Sequence, residues 1–411
     1  MEKKKNNLPL DGLLVLDLTN VLSGPFATLI LSDLGAKVIK IEKPGGDDSR
    51  GYGPFANGKS GYFISLNRGK KSICLDLKKK KEKQIFEKIL SKSDVLIDNF
   101  KPETLEKLGF SWKYLSRKYP RLIYSKISGF GETGPLKDLP AYDIIVQAMG
   151  GLMSITGKDE ENLVRVGTSI GDITASLFAV IGILSQLIRR NKTNSGSKLD
   201  LSMLDCQVSI LENAVARYSI EGRNPKPLGT DHPSISPFGA FKTKDGLLVL
   251  AIGNDRLFEK FCNVLKNKKL AEKYSSNKKR NDNLNKFKKE LELIFKKNKT
   301  SFWIKKLTIN KIPCAKINSV SEIMRNKQIL HRKMISDYPE KLGKLKVTHT
   351  PFNFDFVKNK PQIKLAPNLD EHRNEILKFF GINYSQGPLF KKTDFPFLVI
   401  VFLILLLKIY E

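Results

Sequence analysis

Asp172 is the side chain whose type and position best suit covalent chemistry, and it lies in the segment 165–190, RVGTSIGDITASLFAVIGILSQLIRR. A carboxylate can act as a nucleophile, and Gly171 beside it leaves room for a substrate. A helix that begins here would hold the carboxylate ionised through its dipole. The alternative interpretation is an N-cap, in which Asp172 only accepts hydrogen bonds from the first helical turn.

The apolar part of this segment predicts a helix of about five turns behind Asp172. Apolar side chains recur at helical spacing and form one broad face: Leu177, Val180, Ile181, Ile183, Leu184, Leu187 and Ile188. We therefore expect a largely buried helix that gives Asp172 a rigid support.

Strands alternate with helices before and after this segment, which predicts an α/β fold with a doubly wound, Rossmann-like large domain. The expected strands are residues 13–18, 36–42, 72–77, 94–99, 122–127 and 198–204. Ligands of such sheets bind at the carboxyl ends of the strands. Six lysines are expected around that edge, where they would suit a polyphosphate: Lys43, Lys70, Lys71, Lys78, Lys101 and Lys107. The alternative is that each is an ordinary solvated surface residue.

The chain carries a net charge of +29, which favours anionic partners. Its lysines are dispersed along the whole chain, so compositional drift is the alternative explanation, and no nucleic-acid-binding motif is present. The four cysteines form no CxxC pair and the four histidines show no metal-ligand spacing. We therefore expect no metal site, no disulfide framework and a cytoplasmic location.

Composition divides the chain into four predicted parts. Residues 1–222 form the first part of the large domain, 223–325 a smaller α+β domain, 326–385 a return to the large domain, and 386–411 an atypical tail. The tail contains an apolar run at 395–407 that is shorter than the roughly 20 residues that span a bilayer. It is open whether this run is a membrane anchor, a buried helix or the product of a reading-frame slip.

Four stretches, in order, resemble the family III CoA-transferases, the carnitine and formyl-CoA transferase family. They are LDLTNVLSGPFATLILSDLGAKVIKIEKPGGDDSR, NRGKKSICLDLK, DVLIDNFKPETLEKLGF, and PAYDIIVQAMGGLMSITG with GTSIGDI. The similarity is strong over residues 8–240 and weak to about residue 380. It implies a CoA-transferase that moves CoA from an acyl-CoA to a small carboxylic acid, with the CoA thioester as substrate and no permanently bound cofactor.

The resemblance also implies roles for single residues. Asp172 is the implied nucleophile, which forms a mixed anhydride and then an aspartyl-CoA thioester. The implied CoA contacts are Val21, Leu22, Lys43, Leu75, Lys78, Asn99, Phe100, Lys101 and Lys107. Tyr142 and Asp143 are implied at the reacting end, where Asp143 either orients the acceptor or caps the following helix. Residues 229–241 are the expected lid.

Two other functions are open at this stage. The same superfamily contains α-methylacyl-CoA racemases, but these have a His where this chain has Tyr142, and a two-base racemase needs both bases. A basic, non-catalytic binding protein for nucleic acid or membranes would explain the charge, although such proteins cluster their basic residues. The resemblance further implies an interlocked homodimer.

Overall fold

The computed structural model of the protein describes residues 8–357 and 362–383, so the predicted tail at 386–411 and its apolar run lie outside the described residues. The strands are β1 (Leu14–Asp17), β2 (Lys37–Glu42), β3 (Phe55–Ala56), β4 (Lys59–Ser60), β5 (Lys71–Cys74), β6 (Val95–Asp98), β7 (Ile123–Ser128), β8 (Ser197–Ser202), β9 (Phe238–Lys242), β10 (Leu247–Ala251), β11 (Cys314–Lys316), β12 (Ile335–Asp337) and β13 (Lys346–Thr348). The helices are α1 (Ser23–Asp33), α2 (Gly61–Asn67), α3 (Lys80–Leu90), α4 (Thr104–Lys107), α5 (Trp112–Lys118), α6 (Asp143–Met149), α7 (Ile170–Thr193), α8 (Met203–Ser209), α9 (Ala214–Glu221), α10 (Asp255–Leu265), α11 (Lys268–Lys273), α12 (Asn277–Asp282), α13 (Leu284–Phe295), α14 (Thr300–Ile309), α15 (Val320–Ile323), α16 (Lys327–His331) and α17 (Arg373–Phe379).

A six-stranded sheet forms the centre of the large domain, with strand order β5-β2-β1-β6-β7-β8. All of its neighbouring strands are parallel. The chain builds the sheet outward from β1 through β2 to β5, and then resumes with β6 on the other side of β1. The order therefore reverses between β1 and β6. The predicted mixed α/β class with a large parallel sheet is confirmed.

Side chains that alternate along β1 join two different apolar clusters. Leu14 and Leu16 pack in a cluster with α3, α5 and α17, whereas Val15 packs in a second cluster with α1 and α7. Helices therefore cover both faces of the sheet. This arrangement explains why the central strands β1 and β6 are almost entirely apolar rather than alternately apolar and polar.

Helix α7 confirms the predicted helix, but the prediction that it is largely buried is wrong. Its core side is built from smaller residues such as Ala175 and Ala179, with Ile183, and packs against α1 and the sheet. Leu177 is 45% exposed and Ile181 57% exposed. A helix presents only one stripe to its core, and nothing in the described chain covers the opposite stripe.

The predicted lid follows two helices and ends in a strand. Helices α8 and α9 precede it, and Glu212 between them has a left-handed φ of 55°. The expected lid at 229–241 ends in β9, whose main chain is paired with β10 along its length. Only the part before β9 remains available as a loop.

A second apolar core lies in the small domain, where β9, β10 and β11 form an antiparallel sheet beside α10–α14. Its buried members lie between Phe241 and Ile312. The chain then returns to the large sheet, because Asp370 Oδ1 accepts a 2.7 Å hydrogen bond from the N–H of Cys74 and α17 packs on the first core. The domain boundaries themselves stay predictions.

Candidate active site

Asp172 is the third residue of α7, and its carboxylate does not cap that helix. Asp143, at the start of α6, makes the cap instead: its Oδ1 accepts a 2.8 Å hydrogen bond from the N–H of Gly171. Oδ2 of Asp143 accepts from Gln147 at 2.7 Å. Of the two alternatives predicted for Asp143, a cap of the following helix α6 is not observed, because its two oxygens accept from Gly171 and Gln147 and not from an N–H of α6. Asp172 is thereby left free for another role.

Burial and two neighbouring side chains set the pKa of Asp172. Burial is the largest influence and, together with the negative charge of Asp143, it raises the pKa of Asp172 to about 7, while a hydrogen bond with Ser23 acts in the opposite direction. The sequence predicts a carboxylate held ionised by the helix dipole; burial beside a second acid outweighs that influence. A carboxyl group with a raised pKa in a cleft is typical of functional sites.

The loop from Leu18 to Ser23 runs beside this carboxyl group and is held in one conformation by Asn99. The Asn99 Oδ1 accepts from the N–H of Asn20 at 2.8 Å, and its Nδ2 donates to the Asn20 carbonyl at 2.9 Å. Val21 has a φ of 67° in this loop, a region that β-branched residues rarely adopt. Such strain costs on the order of 1–3 kcal/mol and persists only where the surroundings enforce it.

Buried charges lie beneath the loop. Lys40 and Asp47 form a fully buried ion pair at 2.8 Å, Lys40 also donates to the Thr19 carbonyl, and Asp47 Oδ1 accepts from the N–H of Val21. Lys70, which the sequence predicts at the phosphate edge, is instead buried against Asp17 at 3.0 Å. That prediction is wrong because its Nζ is enclosed by α1, where it donates to a carbonyl, and by α2.

Four of the predicted CoA contacts line one cavity of about 140 Å³ at the carboxyl ends of β1, β2, β5 and β6. They are Lys43, Leu75, Lys78 and Phe100. Leu18, the first residue of the strained loop, lines the same cavity. The loop therefore connects this cavity to Ser23 and Asp172.

The other predicted site residues lie outside that cavity lining. Val21 and Leu22 belong to the strained loop, and the amide of Asn99 is used to hold it. Lys101 and Lys107 are exposed, and Lys107 pairs with Glu103 at 3.1 Å. Tyr142 is 78% exposed and immediately precedes Asp143.

Sequence reasoning missed Tyr62 and Ser23. Tyr62, in α2, is close enough to Asp172 that burial, followed by the charge of Asp172, raises the pKa of its phenol to about 12. Its ring makes an edge contact with Tyr52 at 5.7 Å between centroids. No spacing in the sequence links Tyr62 to Asp172. Ser23, by contrast, lies inside the first of the four quoted family stretches and could have been weighed as a hydroxyl donor.

The first turn of α1 adds backbone donors to this site. Among the described residues, the N–H groups of Ser23 and Gly24 at its start have no hydrogen-bond partner. Pro25 has no N–H, and the N–H of Phe26 donates to the Leu22 carbonyl. The start of α1 packs closely against Thr19, and this requires glycine at position 24, because a Cβ there would lie 2.1 Å from Thr19 Cγ2. In this arrangement the carboxylate can attack a carbonyl group, and the neighbouring N–H groups can donate hydrogen bonds to the resulting oxyanion. Residues 8–357 and 362–383 contain no cluster of His, Cys, Asp and Glu able to hold a metal ion.

Comparisons with known proteins give a consistent result. The model of CoA-transferase family III matches residues 10–373. The chain is 40% identical over 377 residues to the acetyl-CoA:oxalate CoA-transferase of Acetobacter aceti, covering 91% of this chain and 96% of that protein. It is 38% identical over 389 residues to the succinyl-CoA:glutarate CoA-transferase of Mus musculus, covering 93% and 88%. A crystal structure of a CaiB/BaiF family protein from Brucella suis superimposes with a TM-score of 0.81 at 34% identity, covering 91% of this chain and all of that one.

Proposed function

The chain belongs to CoA-transferase family III, and from this membership we propose that it transfers CoA from an acyl-CoA to a free carboxylic acid through covalent intermediates on Asp172. One observation carries the proposal. Asp172 is a half-buried carboxyl group with a raised pKa that is released from capping by Asp143 and lies beside the open N-terminus of α1.

The first half of the reaction loads the enzyme with CoA. The Asp172 carboxylate attacks the thioester carbonyl of the acyl-CoA, the C–S bond breaks, and a mixed anhydride and CoA thiolate result. The thiolate then attacks the aspartyl carbonyl of the anhydride. The donor acid leaves as a carboxylate, and Asp172 is now a CoA thioester.

The second half repeats these steps in reverse with the acceptor. The acceptor carboxylate attacks the aspartyl thioester, forming a second mixed anhydride and CoA thiolate. The thiolate attacks the acyl carbonyl derived from the acceptor, which yields the new acyl-CoA and restores the Asp172 carboxylate. The carboxylate is the attacking group in the first step, so Asp172 has to start each cycle ionised.

The surrounding groups have separate roles in this proposal. The N–H groups of Ser23 and Gly24 at the start of α1 are suited to stabilise the oxyanions that develop at the attacked carbonyls. Burial of Asp172 limits the access of water, which would hydrolyse an anhydride. The cavity with Lys43 and Lys78 is suited to the nucleotide end of CoA, since ligands of doubly wound sheets bind where the strand order reverses.

We propose a short dicarboxylate as acceptor and acetyl-CoA or succinyl-CoA as donor. The relatives named above act, by their names, on acetyl-CoA and oxalate or on succinyl-CoA and glutarate. Arg165 supports this choice, because it lies at the reacting end, 3.9 Å from Asp143 Oδ2, and is half-exposed. A second carboxylate of the acceptor could pair with its guanidinium.

The assembly and location of the protein are also proposals. The exposed apolar stripe of α7 supports a homodimer, because isolated chains rarely leave several large apolar side chains uncovered on one helix. The four cysteines are all free thiols, which supports a cytoplasmic location.

Replacement of Asp172 tests the proposed function. Asp172→Ala and Asp172→Asn should abolish CoA transfer, whereas Asp205→Ala, which removes an exposed acid from the first turn of α8, should leave it intact. Wild-type enzyme mixed with acyl-CoA and hydroxylamine should yield a hydroxamate on the peptide that carries Asp172. Transfer by Asp172→Ala, or an adduct on another residue, would overturn the proposal.

A further inference from the structure

We infer that Ser23 is a positioning residue for the nucleophile: its hydroxyl, oriented by Asn99, donates a hydrogen bond to the carboxylate of Asp172 and selects the oxygen that attacks. The inference rests on the proposed nucleophilic role of Asp172. Ser23 is the first residue of α1 and is only 4% exposed, so water does not compete for its hydroxyl.

The direction of the hydrogen-bonded chain is fixed by the backbone. The N–H of Asn20 can only donate, so the Asn99 side-chain atom that it meets at 2.8 Å is the carbonyl oxygen. The other end of the Asn99 amide is then a donor, and it lies 3.2 Å from Ser23 Oγ. Because Ser23 Oγ accepts from Asn99, its single proton is available for another acceptor. The carboxyl group of Asp172 is the acceptor that we assign to it, since Ser23 lowers the pKa of Asp172 and Ser176 holds the backbones of the two residues together.

Ser176 fixes the distance between the two partners. Its hydroxyl contacts the carbonyl oxygens of both Ser23 and Asp172, the second at 2.7 Å. This contact joins the starts of α1 and α7 through their backbones and does not touch the Asp172 carboxylate. The geometry of the Ser23–Asp172 hydrogen bond is therefore set by the packing of two helices, as a preorganised site requires.

The hydrogen bond acts on both the resting enzyme and its intermediates. In the resting enzyme it favours the charged carboxylate against burial and against Asp143, which is itself near Arg165; Tyr62 faces the same group from α2. It occupies one oxygen and leaves the other free to attack. When Asp172 becomes an anhydride or a thioester, the same hydroxyl can donate to the oxyanion formed at the aspartyl carbonyl.

The test compares Ser23→Ala, Ser23→Thr and Ser185→Ala in the otherwise unchanged enzyme, by the pH dependence of kcat/KM. Ser23→Ala should lower kcat about 10- to 100-fold, leave KM for the acyl-CoA within about twofold, and move the acidic limb of the profile to higher pH. Ser23→Thr retains the hydroxyl and should retain the position of the limb. Ser185→Ala should leave the limb in place, because the Ser185 hydroxyl is exposed on α7 and contacts only the Ile181 carbonyl.

An unmoved limb in Ser23→Ala, or an equal shift in Ser185→Ala, would overturn the inference. If Ser23→Ala does not fold, Ser23→Gly removes the same hydroxyl and is judged by the same criteria. Failure of the proposed function looks different, because Asp172→Ala would then remain active. An inactive Asp172→Ala together with an unmoved limb in Ser23→Ala refutes this inference alone.

Discussion

The Asp143 carboxylate accepts a hydrogen bond from the N–H of Gly171 at 2.8 Å, so the helix that bears Asp172 is capped from a different element of the fold. This contact brings a second negative charge to Asp172. It therefore couples the stability of α7 to the pKa of its first-turn acid, and the two effects can be separated by mutation.

Asp143→Asn should move the acidic limb of the kcat/KM profile to lower pH. The asparagine carbonyl can still accept from Gly171, but the negative charge that helps to raise the pKa of Asp172 to about 7 is lost. Asp172 then ionises at lower pH, toward its ordinary value of 3.8. Asp143→Ala removes the cap as well and should also lower stability by about 1 kcal/mol. A limb that stays in place in Asp143→Asn would show that Asp143 does not control the ionisation of Asp172.

Lys40→Met should destabilise the protein by about 3–5 kcal/mol, because it leaves Asp47 buried without its cation. The matched control is Lys43→Met. Lys43 pairs with Asp48 at 2.7 Å, but both side chains are more than half exposed, and such pairs contribute at most about 1 kcal/mol. Thermal unfolding followed by circular dichroism measures both changes. Equal losses in the two variants would contradict the buried-pair account.

Lys43→Ala and Lys78→Ala should each raise KM for acyl-CoA severalfold, up to about tenfold for a loss of 1.4 kcal/mol, with kcat nearly unchanged. The reason is that both side chains line the cavity assigned to the nucleotide end. An acyl-pantetheine substrate, which lacks the nucleotide, should not distinguish the variants from wild type. Lys289→Ala, at an exposed position of α13, serves as the control. The same KM increase with acyl-pantetheine would show that the two lysines do not act on the nucleotide end of CoA.

Ile181→Asp should convert the proposed homodimer into monomers. Ile181 is 57% exposed on the stripe of α7 and a charge there cannot be buried in an apolar interface. Light scattering after size-exclusion chromatography measures the mass. Leu293→Asp, at a side chain that is 66% exposed in the small domain, is the control and should not change the mass. If Ile181→Asp keeps the wild-type mass, the stripe of α7 is not part of the dimer interface.

Much of the sheet could be predicted from the sequence because strands such as β1 and β6 are short apolar runs bounded by polar residues. Residues 36–42 and 94–99, for example, became β2 and β6 within one residue at each end. The mixed α/β class follows from the alternation of strands and helices and from the limited set of such topologies. The buried face of α7 could not be chosen correctly, since apolar residues surround most of that helix and only packing selects the side that is covered.

Only part of the candidate site could be predicted from local sequence. Asp172 was predicted from its position after Gly171 and from the family resemblance, and Lys43 and Lys78 were predicted from their positions after strands. Tyr62 was missed because α2 approaches Asp172 through tertiary packing between residues far apart in the sequence. Lys70 was misplaced for a related reason. The sequence around a lysine near a strand does not show whether its side chain is exposed or is buried in an ion pair with a distant residue such as Asp17.

The return of the chain to β5 has a consequence for folding. Asp370 bonds to Cys74 and Pro367 to Arg50 across 296 and 317 residues of sequence. Contacts of such large sequence separation form slowly because long loops must close first. Strand β5 therefore lacks its contacts with Asp370 and α17 until residues 362–383 have been synthesised. During that interval β5 is an unprotected edge, and the nascent protein should depend on chaperones more than a sequential assembly of the same size.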